Sequence, residues 1–302
     1  MDSIQERYMP LIKEMMKTIG AQKELSDRDI YQEGRAEFLP FIDKILEEHL
    51  LPGSGIDGIE NIENLLERAQ QGESGLLLLE HYSNFDLPAF HYLLRKAGPK
   101  GTAIAKALVA IAGIKLSESN PIVSAFTQAY TRVVIYPSRS LEIIKRNFKD
   151  PNKLYHEMMR GMSINRAAVK TIATVKHSGK LVLVFPAGTR YRPWDPSTKR
   201  GVREIASYIK GFDNFCLVAV NGNILRINPT GEMEEDLLNA DKVVYTAGKV
   251  QRSEYFLERI KEEHHFRDDK KQEMVDEVMA ELETMHAEAE KKRLSGASKK
   301  DA

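Results

Sequence analysis

The sequence predicts an α/β protein: a mixed, largely parallel central sheet flanked by helices, with a small N-terminal helical bundle. Three observations predict it. Leu76-Leu77-Leu78-Leu79 and Leu181-Val182-Leu183-Val184-Phe185 are short apolar runs bounded by glycine or proline turns, as in strands buried on both faces. Helical periodicity fills the intervals, so strands and helices alternate from Gly75 onward. The first 70 residues, in contrast, carry helical spacing throughout.

The chain of 302 residues is 42% hydrophobic and 29% charged, enough for one large α/β domain and a smaller helical part. The expected division is a helical domain over 1–70, an α/β domain over 71–292 and a disordered tail over 293–302. A formal net charge of zero argues against a nucleic-acid binder dominated by phosphate contacts. Cys216 is the only cysteine, so no intramolecular disulfide forms, and its apolar neighbours predict a buried thiol. The longest weakly polar stretch, 103–116, is interrupted by Lys106 and Lys115 and falls short of the ~18–20 residues of a membrane span. Asp2, Glu6 and Arg7 leave no signal-peptide core. The expectation is a cytoplasmic protein, with contact at the inner face of a membrane left open.

In order, Ile4, Tyr8, Leu11, Ile12, Met15, Met16 and Ile19 recur at helical spacing until Gly20. Ser26-x-x-Asp29 could open the next helix, through Phe38, Ile42, Ile45 and Leu46, with Pro40 imposing a kink or a division in two. Leu51-Pro52-Gly53-Ser54-Gly55 breaks the pattern, and 59–69 reads as a third helix. Residues 87–96 are helical and 102–105 read as a short strand. The small apolar run 106–116 has two readings, a buried helix or the lining of a channel. Residues 122–130 read as a helix, and 131–136 as a strand by their β-branched content. A helix over 160–180 precedes the strand at 181–185. Strands follow at 214–220, 224–228 and 242–249. A single helix over 254–292 carries Met274, Val278, Leu282 and Met285 on one stripe. His264-His265 lacks the partners and spacing of a metal site, and no metal is expected.

Two strand ends carry chemistry. After Leu79 the chain reads Glu80-His81-Tyr82-Ser83-Asn84-Phe85-Asp86. On one helix, residues five apart point well away from each other. His81 and Asp86 meet only if the first lies in the turn and the second in the first helical turn, a geometry that Ser83 and Asn84 favour as N-cap residues. An Asp on imidazole Nδ1 would fix the tautomer and leave Nε2 as a base. The same residues also read as a plain capping box, Ser83-x-x-Asp86, beside a loop histidine. The second strand ends in Phe185-Pro186-Ala187-Gly188-Thr189-Arg190-Tyr191-Arg192-Pro193. Two arginines on one side of an extended turn suit a phosphate dianion, since each offers paired donors.

His-x4-Asp after one strand and Phe-Pro-x-Gly-Thr-Arg after a later one, in this order and about a hundred residues apart, resemble the glycerolipid acyltransferase family. The resemblance covers roughly 72–228. Gly188, Arg190, Arg192 and Pro193 look closest to the soluble, chloroplast-type glycerol-3-phosphate acyltransferases, though Ala187 stands where many members carry glutamate. The resemblance implies transfer of a fatty acyl group from a thioester to a hydroxyl of glycerol 3-phosphate in phospholipid synthesis. Lysophosphatidate is the alternative acceptor. His81 and Asp86 would be catalytic, and Arg139, Gly188, Thr189, Arg190 and Arg192 would bind substrate. Acyl-CoA or acyl carrier protein would be the co-substrate, with no further cofactor. A lipid-binding protein without turnover is the reading from a different class.

Overall fold

The computed structural model describes residues 2–17, 24–118, 121–140, 144, 150–230, 233–263 and 269–295. In chain order these form helix α1 (Ile4–Lys17), strand β1 (Tyr31–Gln32), α2 (Leu39–His49), β2 (Gly55–Asp57) and α3 (Ile59–Gln70). There follow β3 (Gly75–Leu79), α4 (Asp86–Lys96), α5 (Pro99–Ala107), β4 (Leu108–Gly113), α6 (Lys115–Glu118), α7 (Pro121–Thr127) and β5 (Arg132–Ile135). Next come α8 (Pro151–Val175), β6 (Leu181–Val184), α9 (Ile205–Gly211), β7 (Asn214–Asn221), β8 (Leu225–Arg226) and β9 (Leu237–Leu238). The last elements are β10 (Val244–Ala247), β11 (Gln251–Arg252), α10 (Ser253–Glu263) and α11 (Lys270–Ser295).

The protein is α/β, as its sequence predicts. A mixed, largely parallel sheet runs β1-β5-β4-β6-β3-β7-β10-β2, with β11 added beside β7. Strands β5, β4, β6, β3 and β7 are mutually parallel; β1 and β10 lie antiparallel to their neighbours β5 and β7. The four leucines of β3 are fully buried because alternate residues enter different cores. Leu77 and Leu79 join one cluster with α1–α5, and Leu76 and Leu78 join another with α8–α11. Leu181 and Leu183 divide from Val182 and Val184 in the same way, so the helices form a layer on each face. Each such side chain contributes about 1.5–3 kcal/mol on burial. Gly75 is required for this packing, since a Cβ there would lie 2.6 Å from Leu181 Cδ2 across the β3–β6 pair.

Several expected elements change. The segment 1–70 is not all-helical: β1 and β2 join opposite edges of the main sheet. Its helices pack in the same cluster as Leu77 and Leu79. Asp29 accepts from the Ser26 N–H at 3.1 Å and from the Ser26 hydroxyl at 2.7 Å, which closes a turn before β1 and starts no helix. Pro40 does divide its segment in two, a 3-10 turn at Ala36–Phe38 followed by α2. Residues 102–105 belong to α5, not to a strand, and 108–113 form a central strand, not a buried helix. The helix before β6 begins earlier than expected, because Asp150 caps it through the Asn152 N–H (2.9 Å) and Pro151 opens it. The C-terminal helix is two helices, α10 and α11; Met274, Val278 and Leu282 are buried on the second. Gly20, His264 and His265 lie outside the described residues, as does the tail from 296. Residues 293–295, expected in the tail, continue α11. Cys216 is a buried free thiol, its pKa pushed up to about 12 by desolvation.

The topology positions the site. From β3 the chain crosses to β4 and then outward to β5. It returns to insert β6 between β4 and β3, and next crosses to β7 on the far side of β3. The carboxyl ends of β3 and β6 are therefore neighbours at a reversal of winding, where open α/β sheets bind ligands.

Candidate functional site

Both chemistry-bearing segments sit at that edge, one after β3 and one after β6. His81 is in the turn and Asp86 is the first residue of α4. His81 Nδ1 lies 2.9 Å from Asp86 Oδ2. The same oxygen accepts the Tyr82 N–H at 2.6 Å and the Ser83 N–H at 2.8 Å. The Ser83 hydroxyl accepts from the Phe85 N–H at 3.0 Å. Ser83 is not the N-cap of α4, which begins after Phe85 without a side-chain cap; Asp86 instead ties the turn's backbone and holds the imidazole. A buried carboxylate already accepting two backbone donors acts on Nδ1 as an acceptor, so of the two neutral tautomers the one with the proton on Nδ1 and the lone pair on Nε2 fits the site. The imidazole lies flat on Phe185, with ring centroids 4.0 Å apart and planes 20° from parallel. Phe185 follows β6 directly, so both strands fix one ring.

The arginine segment is tied to this turn through the backbone, since the Tyr191 N–H donates to the His81 carbonyl at 2.8 Å. Gly188 makes the approach possible. Its φ of +63° lies in the left-handed region, and a Cβ there would meet Val202 Cγ1 at 3.1 Å. Tyr191 packs edge-on against Tyr82.

Sequence reasoning gives Arg190 and Arg192 a single task, and the structure gives them different surroundings. Arg190 is buried and ion-paired with Asp236, a residue that no motif indicates. Asp236 also accepts from the Asn84 amide at 3.4 Å and the Asn228 N–H at 3.2 Å. Burial pushes its carboxyl up, and the Arg190 charge opposes that shift. Arg192 is partly exposed, donates to the Thr189 hydroxyl at 3.3 Å, and forms no ion pair with a described residue. Burial lowers its pKa, the charges of Arg190 and Arg139 lower it further, and the carboxylates of Asp195 and Asp236 oppose the shift. Arg139 is exposed just beyond β5. An arginine remains charged under such shifts, so Arg192 and Arg139 are cations that Asp236 does not already pair.

His81 also lines an apolar pocket with a volume of about 980 Å³, counted to its solvent-open mouth. Phe85, Ala110, Ile111, Ala112, Leu116 and Phe126 are among its walls. Four residues of the run 106–116, Ala110, Ile111, Ala112 and Leu116, thus line this pocket, from strand β4 and the start of α6. Residues that sequence reasoning missed share a weak signal. Phe185 reads as core in an apolar run, and Asp236 is one of several acids near Glu234.

Beneath the turn lies a second polar group. Buried Glu80 accepts from the Tyr82 hydroxyl (3.0 Å) and the Val220 N–H (2.9 Å), and its Oε2 is 2.9 Å from His286 Nδ1 on α11. Desolvation lowers the His286 pKa, but the hydrogen bond and charge of Glu80 outweigh it and leave it raised. Among the described residues, no three His, Cys, Asp or Glu side chains converge as a metal site, and no helix is long and apolar enough to cross a membrane. No protein-family model matches the chain, and no curated protein matches it.

Proposed function

We propose that the protein is an acyltransferase, moving a fatty acyl group from a thioester to a hydroxyl of a phosphorylated glycerol. One observation carries the reading. A histidine with Nδ1 held by a buried carboxylate lines an apolar pocket, and its backbone is hydrogen-bonded to the segment that bears Arg190 and Arg192. The acyl chain occupies the pocket, and the acceptor phosphate lies against Arg192 and Arg139. Arg190 holds the turn through Asp236 and adds its field. His81 Nε2 takes the proton from the acceptor hydroxyl as its oxygen attacks the thioester carbonyl. The carbon–sulfur bond then breaks, and the leaving thiolate receives that proton from His81. Asp86 stabilises the imidazolium between the two transfers. Fixing the phosphate fixes the hydroxyl near Nε2, which lowers the entropic part of the barrier.

Thiol release is the direct assay, run with glycerol 3-phosphate or lysophosphatidate as acceptor and with acyl-CoA or acyl carrier protein as donor. Release that depends on glycerol 3-phosphate supports the reading. Release with lysophosphatidate alone moves the acceptor to the acylated form, and acyl-ligand binding without release under any pairing makes this a lipid-binding protein.

A further inference from the structure

Helix α8 carries a surface that the site does not use. Tyr155, Met159, Met162 and Val169 are all exposed, at 62, 47, 62 and 67%. At 100° per residue they fall within an arc of roughly 80°, so they form one stripe along the helix. Arg166 lies in the line of that stripe and Lys170 beside it, both exposed. The helix has four lysines and arginines and a single acid, Glu157. That acid is already engaged, accepting from the Tyr136 hydroxyl at 2.6 Å and from Arg160 at 3.3 Å. The exposed face is therefore apolar with two cations, and the carboxylate beside it, Asp27, is already held by the Ser163 hydroxyl at 2.8 Å.

Its position is also fixed. The Tyr136 N–H donates to Asn165 Oδ1 and Asn165 Nδ2 donates to the Tyr136 carbonyl, both at 2.8 Å. This clamps α8 at the carboxyl end of β5, the edge of the sheet that carries His81 and the arginines. The 14 residues from Asn165 back to Pro151 rise about 20 Å along the helix axis from that clamp, at 1.5 Å per residue, and Glu157 and Arg160 tie them to Tyr136 and Glu118. Tyr155, Met159 and Met162 are on this stretch. Buried Ile164 and Ala168 hold the opposite side of the helix in the core.

We propose that this face of α8 docks the protein on an anionic phospholipid surface, with the apolar stripe inserted at the headgroup level and Arg166 and Lys170 against lipid phosphates. A helix with an aromatic and methionines on one side and cations alongside lies in the interface plane, bound by apolar burial and by attraction to acidic lipid together. Docking requires no catalysis, so it stands or falls independently of the acyl-transfer reading.

The test is cosedimentation of the full chain with vesicles, without acyl donor or acceptor. Vesicles of phosphatidylcholine containing phosphatidylglycerol are expected to bind it, vesicles of phosphatidylcholine alone to bind it much less, and rising salt to release it. Arg166→Ser with Lys170→Ser should lower partitioning on the order of thirtyfold. Met159→Ser with Met162→Ser should lower it about tenfold. These side chains are exposed, so melting temperatures should not move. Leu51→Ser, which removes an exposed apolar side chain beyond α2, should bind as the parent does. Absence of binding to acidic vesicles, or equal loss in the Leu51 variant, overturns the proposal. So does self-association, seen by sedimentation velocity and abolished by the methionine substitutions without any vesicle binding, since the face would then join two copies of this chain.

Discussion

The turn after β3 and the turn after β6 occupy one edge of the sheet and are built in opposite ways. The first is closed by its own residues: Asp86 binds His81, Tyr82 and Ser83, all within five positions. The second is closed from a distance. Arg190 pairs with Asp236, 46 residues later, Arg192 N–H donates to the Thr189–Thr198 loop through the Thr198 hydroxyl, and Tyr191 hangs on His81. A local turn survives as long as its few side chains do. A turn held by remote partners depends on the whole fold. The Nδ1 contact of the imidazole is therefore set by sequence-local chemistry, with Phe185 of the neighbouring strand end under the ring, and the Arg190 guanidinium is set by tertiary packing alone.

Substitutions can break this contrast. The largest effect is expected from His81→Ala, with turnover falling about 10²–10⁴-fold or more while the circular-dichroism spectrum and melting temperature stay near those of the parent. Asp86→Asn should lose rate on a similar scale, about 10²–10⁴-fold. It should also cost on the order of 1 kcal/mol of stability, because one carboxylate serves both the Tyr82 and Ser83 N–H groups and the imidazole. Undiminished turnover in this variant would make the carboxylate a tie for the turn and nothing else.

In the second turn the balance should reverse. Asp236→Ala leaves Arg190 buried without a partner and should destabilise by about 3–5 kcal/mol, read by denaturant unfolding. A variant as stable as the parent would mean that the turn does not depend on its remote anchor. Arg192→Ala, at the more accessible guanidinium, should raise the acceptor KM by about 10–100-fold with little change in kcat, as for one charged hydrogen bond. An unchanged KM would remove Arg192 from phosphate binding.

The smallest effect concerns the pair beneath the turn. The folded His286 pKa is raised above the ordinary 6.5 by Glu80. Its contribution to stability is complete below pH 6.5 and fades as pH rises through the folded value. The melting temperature should accordingly decline across that window, and His286→Gln should flatten the decline. A parallel decline in the variant would place the titration elsewhere.

Much of this was legible in the residue order because the controlling physics is local. Four consecutive leucines demand burial on both faces, hence a strand with helices above and below. Ser83 and Asp86 favour the turn that lets an imidazole meet a carboxylate five residues away. The same reasoning fails for 102–105 and 108–113, where small apolar residues fit helix and strand alike, and contact with β5 and β6 decides. It fails for β1 and β2, which are too short to show a period and exist only because the edges of a sheet accept them.

The sequence by itself determined the alternation of strands and helices, the burial of Cys216, and the pairing of His81 with Asp86. Those outcomes depend on burial preference and on contacts a few residues apart. Only the tertiary structure decided that Arg190 would be held by Asp236, that Phe185 would lie under the imidazole, and that β4 would wall the pocket. Each of these joins groups distant along the chain, and their approach is set by how the strands cross over within the sheet, which no local spacing encodes.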